Sequence, residues 1–186
     1  MRIILIRHGK VNMAWQKKYT SREYDQAWAE YDKRDILPIQ THLDLPESIR
    51  VYCTNMKRTQ QTAEQFLRRK NYEIIESLAN EIPLRSFRDL NHRHSRRLMN
   101  FVGRLQWYFP TKRQPENRAA SYKRAIKLIE YLENGVDDAV VVMHGFFLRT
   151  VCRALKHDGY KLDHQPFFGV PNLTVVNAVK DEEKVS

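Results

Sequence analysis

MRIILIRHGK, residues 1–10, runs the apolar stretch Ile3–Ile6 straight into Arg7, His8 and Gly9. A short, branched apolar run closed by glycine reads as a buried strand over Arg2–Ile6. Polar groups directly after such a strand stand at the carboxyl edge of a sheet. That edge is where open α/β sheets bind their ligands.

Two later stretches repeat the arrangement. Ile49–Thr54 (IRVYCT) reads as a second strand and passes through Asn55 and Met56 into Lys57 and Arg58. Ala139–Met143 is fully apolar and ends in His144 and Gly145. Glycine after histidine permits a tight turn and a close backbone approach to a ligand. Arginine pairs with phosphate oxygens through a bidentate fork and a permanent charge. Neutral imidazole is available near pH 7 as a nucleophile. Two arginines and two histidines at three strand ends can therefore converge on one phosphoryl group, with no metal and no cofactor required.

The rest of the chain alternates strand and helix. Thr20-Ser21-Arg22-Glu23 has capping-box spacing and opens a helix to about Lys33. A helix follows from about Lys57 to Arg69, and Tyr72–Glu76 reads as a short third strand. Ser95–Phe109 reads as a helix with Leu98, Phe101, Val102 and Leu105 on one stripe. Glu116–Glu133 is a second helix, stopped by Gly135. Gly145–Lys156 is the helix after the last histidine, and Asn172–Val179 is the closing strand. Met56, Phe146 and Phe147 read as core or pocket wall. Continuous apolar strands favour a mostly parallel sheet covered on both faces. The expected fold is an α/β three-layer sandwich, one domain over residues 1–186.

Composition bounds the function. The chain has 186 residues, 42% hydrophobic and 29% charged, as a soluble globular domain has. No apolar run approaches the ~20 residues of a membrane span, and Ile3–Ile6 is too short for a signal-peptide core. Cys53 and Cys152 lie far apart in apolar contexts, which suits reduced thiols of a cytoplasmic protein. The formal net charge is +10, of which residues 85–118 supply +7. This stretch is expected to form a basic helical insertion, or cap, over the sheet near the strand ends. Its field attracts phosphates, whether of a small substrate or of nucleic acid. A solvated basic face is the other reading.

Taken together, LIRHG (5–9), CTNMKRTQQTA (53–63), VVVMHGFFLRTVCRAL (140–155) and NLTVV (172–176) resemble the histidine phosphatase superfamily, also called phosphoglycerate mutase-like. The blocks occur in the family's order and span nearly the whole chain. The resemblance implies a phosphomonoester hydrolase acting through a phosphohistidine. His8 would be the nucleophile. Arg7, Arg58 and His144 would hold the phosphoryl oxygens, with Gly145 also at the phosphate. The family's acid follows the third strand, and Glu81 matches that position better than Glu76.

The chain departs from the family at Lys10, at the segment IPLRSF (82–87), and in the acidic-aromatic helix bearing Tyr24, Trp28 and Tyr31. These changes concern the substrate rather than the phosphate pocket. Glu116 lacks the flanking glycine and serine of the family's Gly-Glu-Ser turn. Other readings are a phosphoglycerate mutase, or a catalytically weak protein binding phosphate or nucleic acid. For the last, Phe87, Phe101, Trp107 and Tyr108 interleave with the basic residues, as in single-strand binders. The expected partner is a small phosphorylated substrate, with no membrane. Arg93 and Arg97 are expected to share a helix face and read a second anionic group.

Overall fold

The structure is a computed structural model describing residues 1–135, 138–167 and 169–180. Its elements, in chain order, are β1 (Arg2–Arg7), β2 (Lys18–Tyr19), α1 (Ser21–Lys33), β3 (Arg50–Cys53), α2 (Lys57–Phe66), β4 (Glu73–Ile74), α3 (Glu76–Ala79), β5 (His94–Ser95), α4 (Arg96–Trp107), α5 (Arg118–Glu133), β6 (Ala139–Met143), α6 (Gly145–His157), β7 (Lys161–Leu162) and β8 (Val175–Val179).

Six strands form one sheet in the order β4-β3-β6-β1-β8-β7. The β1–β6, β3–β6 and β3–β4 pairs are parallel, whereas β8 runs antiparallel to both β1 and β7. The three-layer α/β expectation is met. Alternation along each central strand sends side chains to two cores. Ile3, Leu5, Val141 and Met143 join the core beneath α5 and α6, and Ile4, Ile6, Val140 and Val142 join Ala63 and Phe66 of α2.

The register brings the chemistry together. Arg7 lies opposite Met143, and Cys53 lies opposite Val142. His8, Thr54 and His144 each follow one of those strand ends, so three distant stretches meet along one edge.

A third, small core lies off the sheet. Tyr19, Tyr24 and Met99 are packed there with Trp15, Trp28, Leu84 and Phe87. This core joins residues of the 15–28 segment to residues of the 84–99 segment. α1 supplies one wall and α4 the other, clasped by the β2–β5 ribbon. The capping box of α1 forms as expected: Glu23 N donates to Thr20 Oγ1, and Thr20 N donates to Glu23 Oε2.

Several boundaries differ from the sequence expectation. α2 ends at Phe66, and Arg68 takes φ 54° in the turn beyond it. The third strand shrinks to Glu73–Ile74, and Glu76 opens α3 instead. The closing strand begins at Val175, because Asn172 and Leu173 are spent on the turn beside Arg7. The apolar stripe of α4 faces outward: Leu98, Phe101 and Leu105 are 43%, 68% and 46% exposed, while Met99, Gly103 and Trp107 are buried. Periodicity identifies a stripe but not the side that packs. At Gly103 an added Cβ would stand 2.7 Å from Leu84, so the inward face is set by this close crossing.

Candidate active site

Strand β1 delivers Arg7 and His8 to the edge, and the turn behind them is tied down from two sides. Gly9 N donates to Thr62 Oγ1 of α2 at 2.8 Å, and Asn172 Nδ2 donates to the carbonyls of His8 and Gly9 at 2.9 and 3.2 Å. His8 itself is 2% exposed. Its Nδ1 lies 2.7 Å from Gly9 O. A carbonyl only accepts, so Nδ1 carries the proton and Nε2 keeps its lone pair. Burial, with the nearby Arg58 charge, pushes the pKa of His8 down to about 3. The ring is therefore neutral across the physiological range.

Arg58 enters from the first turn of α2 and is 2% exposed. Its Nε donates to His144 Nδ1 at 3.2 Å, its Nη1 donates to Asp32 Oδ1 at 2.9 Å, and its guanidinium packs over Tyr31. Arg58 can only donate, so His144 Nδ1 accepts and Nε2 bears the hydrogen. That hydrogen is given to Thr54 Oγ1 at 3.1 Å. Thr54 is in turn held by Thr59. His144 is fully buried, and desolvation with Arg58 alongside pushes its pKa well down. The ring sits 5.3 Å from that of His8. It lies behind Arg58 rather than on the cavity wall, with both nitrogens engaged.

Two adjoining cavities, of about 190 and 300 Å3, share Arg7, Trp28, Glu81, Leu84 and Arg104 as walls. His8, Arg58 and Asp32 line the first, while Asn100, Gly145 and Arg149 line the second. Arg7 Nε is buried there without a hydrogen-bond partner. Gly145 lies under this guanidinium and provides the room for it. Glu81 reaches the same walls, and its carboxylate accepts from Ile82 N, Phe146 N and Phe147 N. It thus caps the start of α6, where orphaned N–H groups need an acceptor.

The structure separates the remaining expectations. Glu76 is exposed on α3 and lines neither cavity. Glu116 is engaged elsewhere, in a bidentate pair with Arg124. Arg93 precedes α4 and pairs with Glu23, so it shares no helix face with the exposed Arg97. The basic residue of the 85–118 stretch that does enter is Arg104. Its Nη1 donates to Ile82 O at 3.1 Å and its guanidinium stacks on Phe146 at 3.9 Å.

The sequence marks the helix bearing Trp28 and Tyr31 as a segment that concerns the substrate, but it marks neither Asp32 nor any of the three as a wall of the phosphate cavity. Their spacing along α1 is the available signal, since they fall on one face of a helix whose acidic and aromatic character is plain. Thr54 and Asn172 stand in the strand-end and closing blocks, but nothing there marks their bonds to His144 and to the carbonyls of His8 and Gly9. Among the described residues, no group of three or more His, Cys, Asp or Glu is arranged to hold a metal ion, and no helix is long and apolar enough to cross a membrane.

Comparison with known proteins gives the family and the fold. Residues 3–185 match the histidine phosphatase superfamily (branch 1), and the chain belongs to that family. No curated protein matches the sequence. Among solved structures, a mycobacterial glucosyl-3-phosphoglycerate phosphatase superposes with a TM-score of 0.57 at 15% identity, covering 95% of this chain and 88% of its own. A mutant phosphoserine phosphatase from Entamoeba histolytica, in complex with phosphoserine, gives 0.55 at 18%, covering 95% and 89%. The alpha-ribazole phosphatase from Shigella flexneri gives 0.53 at 22%, covering 95% and 89%. At these identities the likeness is one of fold.

Proposed function

We propose that this histidine phosphatase superfamily member hydrolyses small phosphomonoesters through a phosphohistidine on His8. The observation that carries the reading is the Nδ1–H to Gly9 O bond, which leaves the Nε2 lone pair of a neutral, buried imidazole free for attack. The cavity beside it is lined by Arg7 and Arg58.

In the first step the His8 Nε2–phosphorus bond forms as the bond to the leaving oxygen breaks. Arg7, with its unpartnered Nε, and Arg58 stabilise the charge on the phosphoryl oxygens. Glu81 gives a proton to the leaving alkoxide. In the second step water attacks the phosphorus and passes a proton to Glu81, and the N–P bond breaks to restore neutral His8. His144 acts as a positioning residue, its Nδ1 fixing the Nε of Arg58. It can reach a phosphoryl oxygen only by giving up Thr54. Gly145 serves the phosphate through the space it leaves for Arg7. Residues 1–186 work as one domain whose cap closes over the edge. The buried free thiols Cys53 and Cys152 suit the reducing cytoplasm.

Rapid quench with phosphorus-labelled substrate tests this. Acid-labile, base-stable label should form on the wild-type chain and be lost in His8→Ala. Label that persists in the variant would move the nucleophile elsewhere.

A further inference from the structure

This inference rests on the hydrolase reading and concerns which phosphomonoesters the site takes. The phosphoryl group is accounted for by His8, Arg7 and Arg58 on the first cavity. The second cavity, of about 300 Å3, opens beside it and carries two further guanidiniums, Arg104 from α4 and Arg149 from α6. Both lie against the ring of Phe146, at 3.9 and 5.7 Å.

Two other interior arginines have a carboxylate partner. Arg124 holds Glu116, and Arg58 holds Asp32. Arg104 and Arg149 break that pattern. Among the described residues neither makes an ion pair. The hydrogen bond of Arg104 goes to a neutral carbonyl, that of Ile82. Holding two like charges side by side on one wall is costly unless an anion comes to them. Burial is the main cause lowering the pKa of Arg104, and Arg149 adds to it, while Glu81 and Tyr24 act the other way.

We propose that Arg104 and Arg149 form a second anion subsite, selecting phosphomonoesters whose other end bears an acidic group. A carboxylate and a second phosphate share the chemistry, because both take the arginine fork. The Phe146 ring holds the two forks in place, and the small volume favours a short arm between the two anionic ends.

The test uses three probes on one skeleton: propyl phosphate, 2-carboxyethyl phosphate and 1,3-propanediol bisphosphate. In the wild-type chain, kcat/KM should be about tenfold or more higher for one or both acidic probes than for propyl phosphate, as charged hydrogen bonds supply. Which probe leads identifies the acidic group. In Arg104→Gln and Arg149→Gln the ratio of acidic to neutral probe should collapse toward one. Arg149→Lys should recover part of it. A wild-type ratio near one, or a ratio unmoved in both glutamine variants, overturns the subsite.

If no phosphomonoester turns over, aryl phosphate included, the hydrolase reading is what fails. Calorimetric binding of 2-carboxyethyl phosphate against propyl phosphate then still decides the subsite. Tighter binding of the acid that is lost in Arg149→Gln supports it, and equal binding rejects it.

Discussion

A Cβ placed on Gly145 would stand 2.8 Å from Nε of Arg7, 3.1 Å from its Cδ and 3.2 Å from its Cζ. The first residue of α6 is therefore a glycine because an arginine from another strand crosses it. Gly145→Ala sets stability and activity against each other. Alanine suits a helix better than glycine by about 0.5–1 kcal/mol, and the clash falls on the end of a flexible side chain. Thermal stability should hold or rise slightly. Turnover should fall by about a hundredfold, because an ångström of misplacement at a transition-state contact has that effect. Unchanged kcat/KM in a folded Gly145→Ala chain would detach Arg7 from the phosphoryl group.

Glu81 shares its carboxylate between the cavity and the N–H groups that open α6. Glutamine keeps an acceptor oxygen for those groups but cannot give up a proton as the acid does. Glu81→Gln should slow an alkyl phosphate by about 10²-fold or more and an activated aryl phosphate much less, because good leaving groups do not need protonation. Equal losses on the two substrates would reduce Glu81 to a helix cap.

His8 and His144 are both buried with pKa values below the ordinary 6.5, His8 down to about 3. The unfolded chain binds protons on both rings as pH falls through 6.5, while the folded chain does not. Protons bound favour the unfolded state, so stability should drop as pH falls from 6.5 toward 3. Between pH 6.5 and 5 the carboxylates contribute little. In that window urea melts should show a slope approaching about 1.4 kcal/mol per pH unit for each proton. His8→Asn should remove about half of it. A flat profile in the wild-type chain would mean that the rings accept protons in the folded state.

How much is legible before folding depends on where each signal resides. The strand ends at Arg7, Thr54 and His144 are readable because a buried parallel strand is a continuous apolar run, and the polar residues next in sequence must stand at the carboxyl edge. The capping box at Thr20 is readable because it is satisfied within four residues. The outward turn of Leu98, Phe101 and Leu105 is not, since a helix's periodicity has no sign until a neighbour such as Leu84 comes against Gly103.

The α/β alternation, the arginines and histidines at the strand ends, and the excess of positive charge in residues 85–118 are all present in the unfolded chain. These are local facts of apolar runs, turn residues and composition. Tertiary structure alone decided which cations face the cavity. Arg93 was drawn to Glu23 of α1, while Arg104 crossed onto Phe146 beside Arg149. It also decided the tautomers, with His8 Nδ1 bound to Gly9 O and His144 Nδ1 facing Arg58. These choices depend on partners far along the chain, 70 residues away for Arg93 and Glu23 and 86 for Arg58 and His144, whose approach no local pattern encodes.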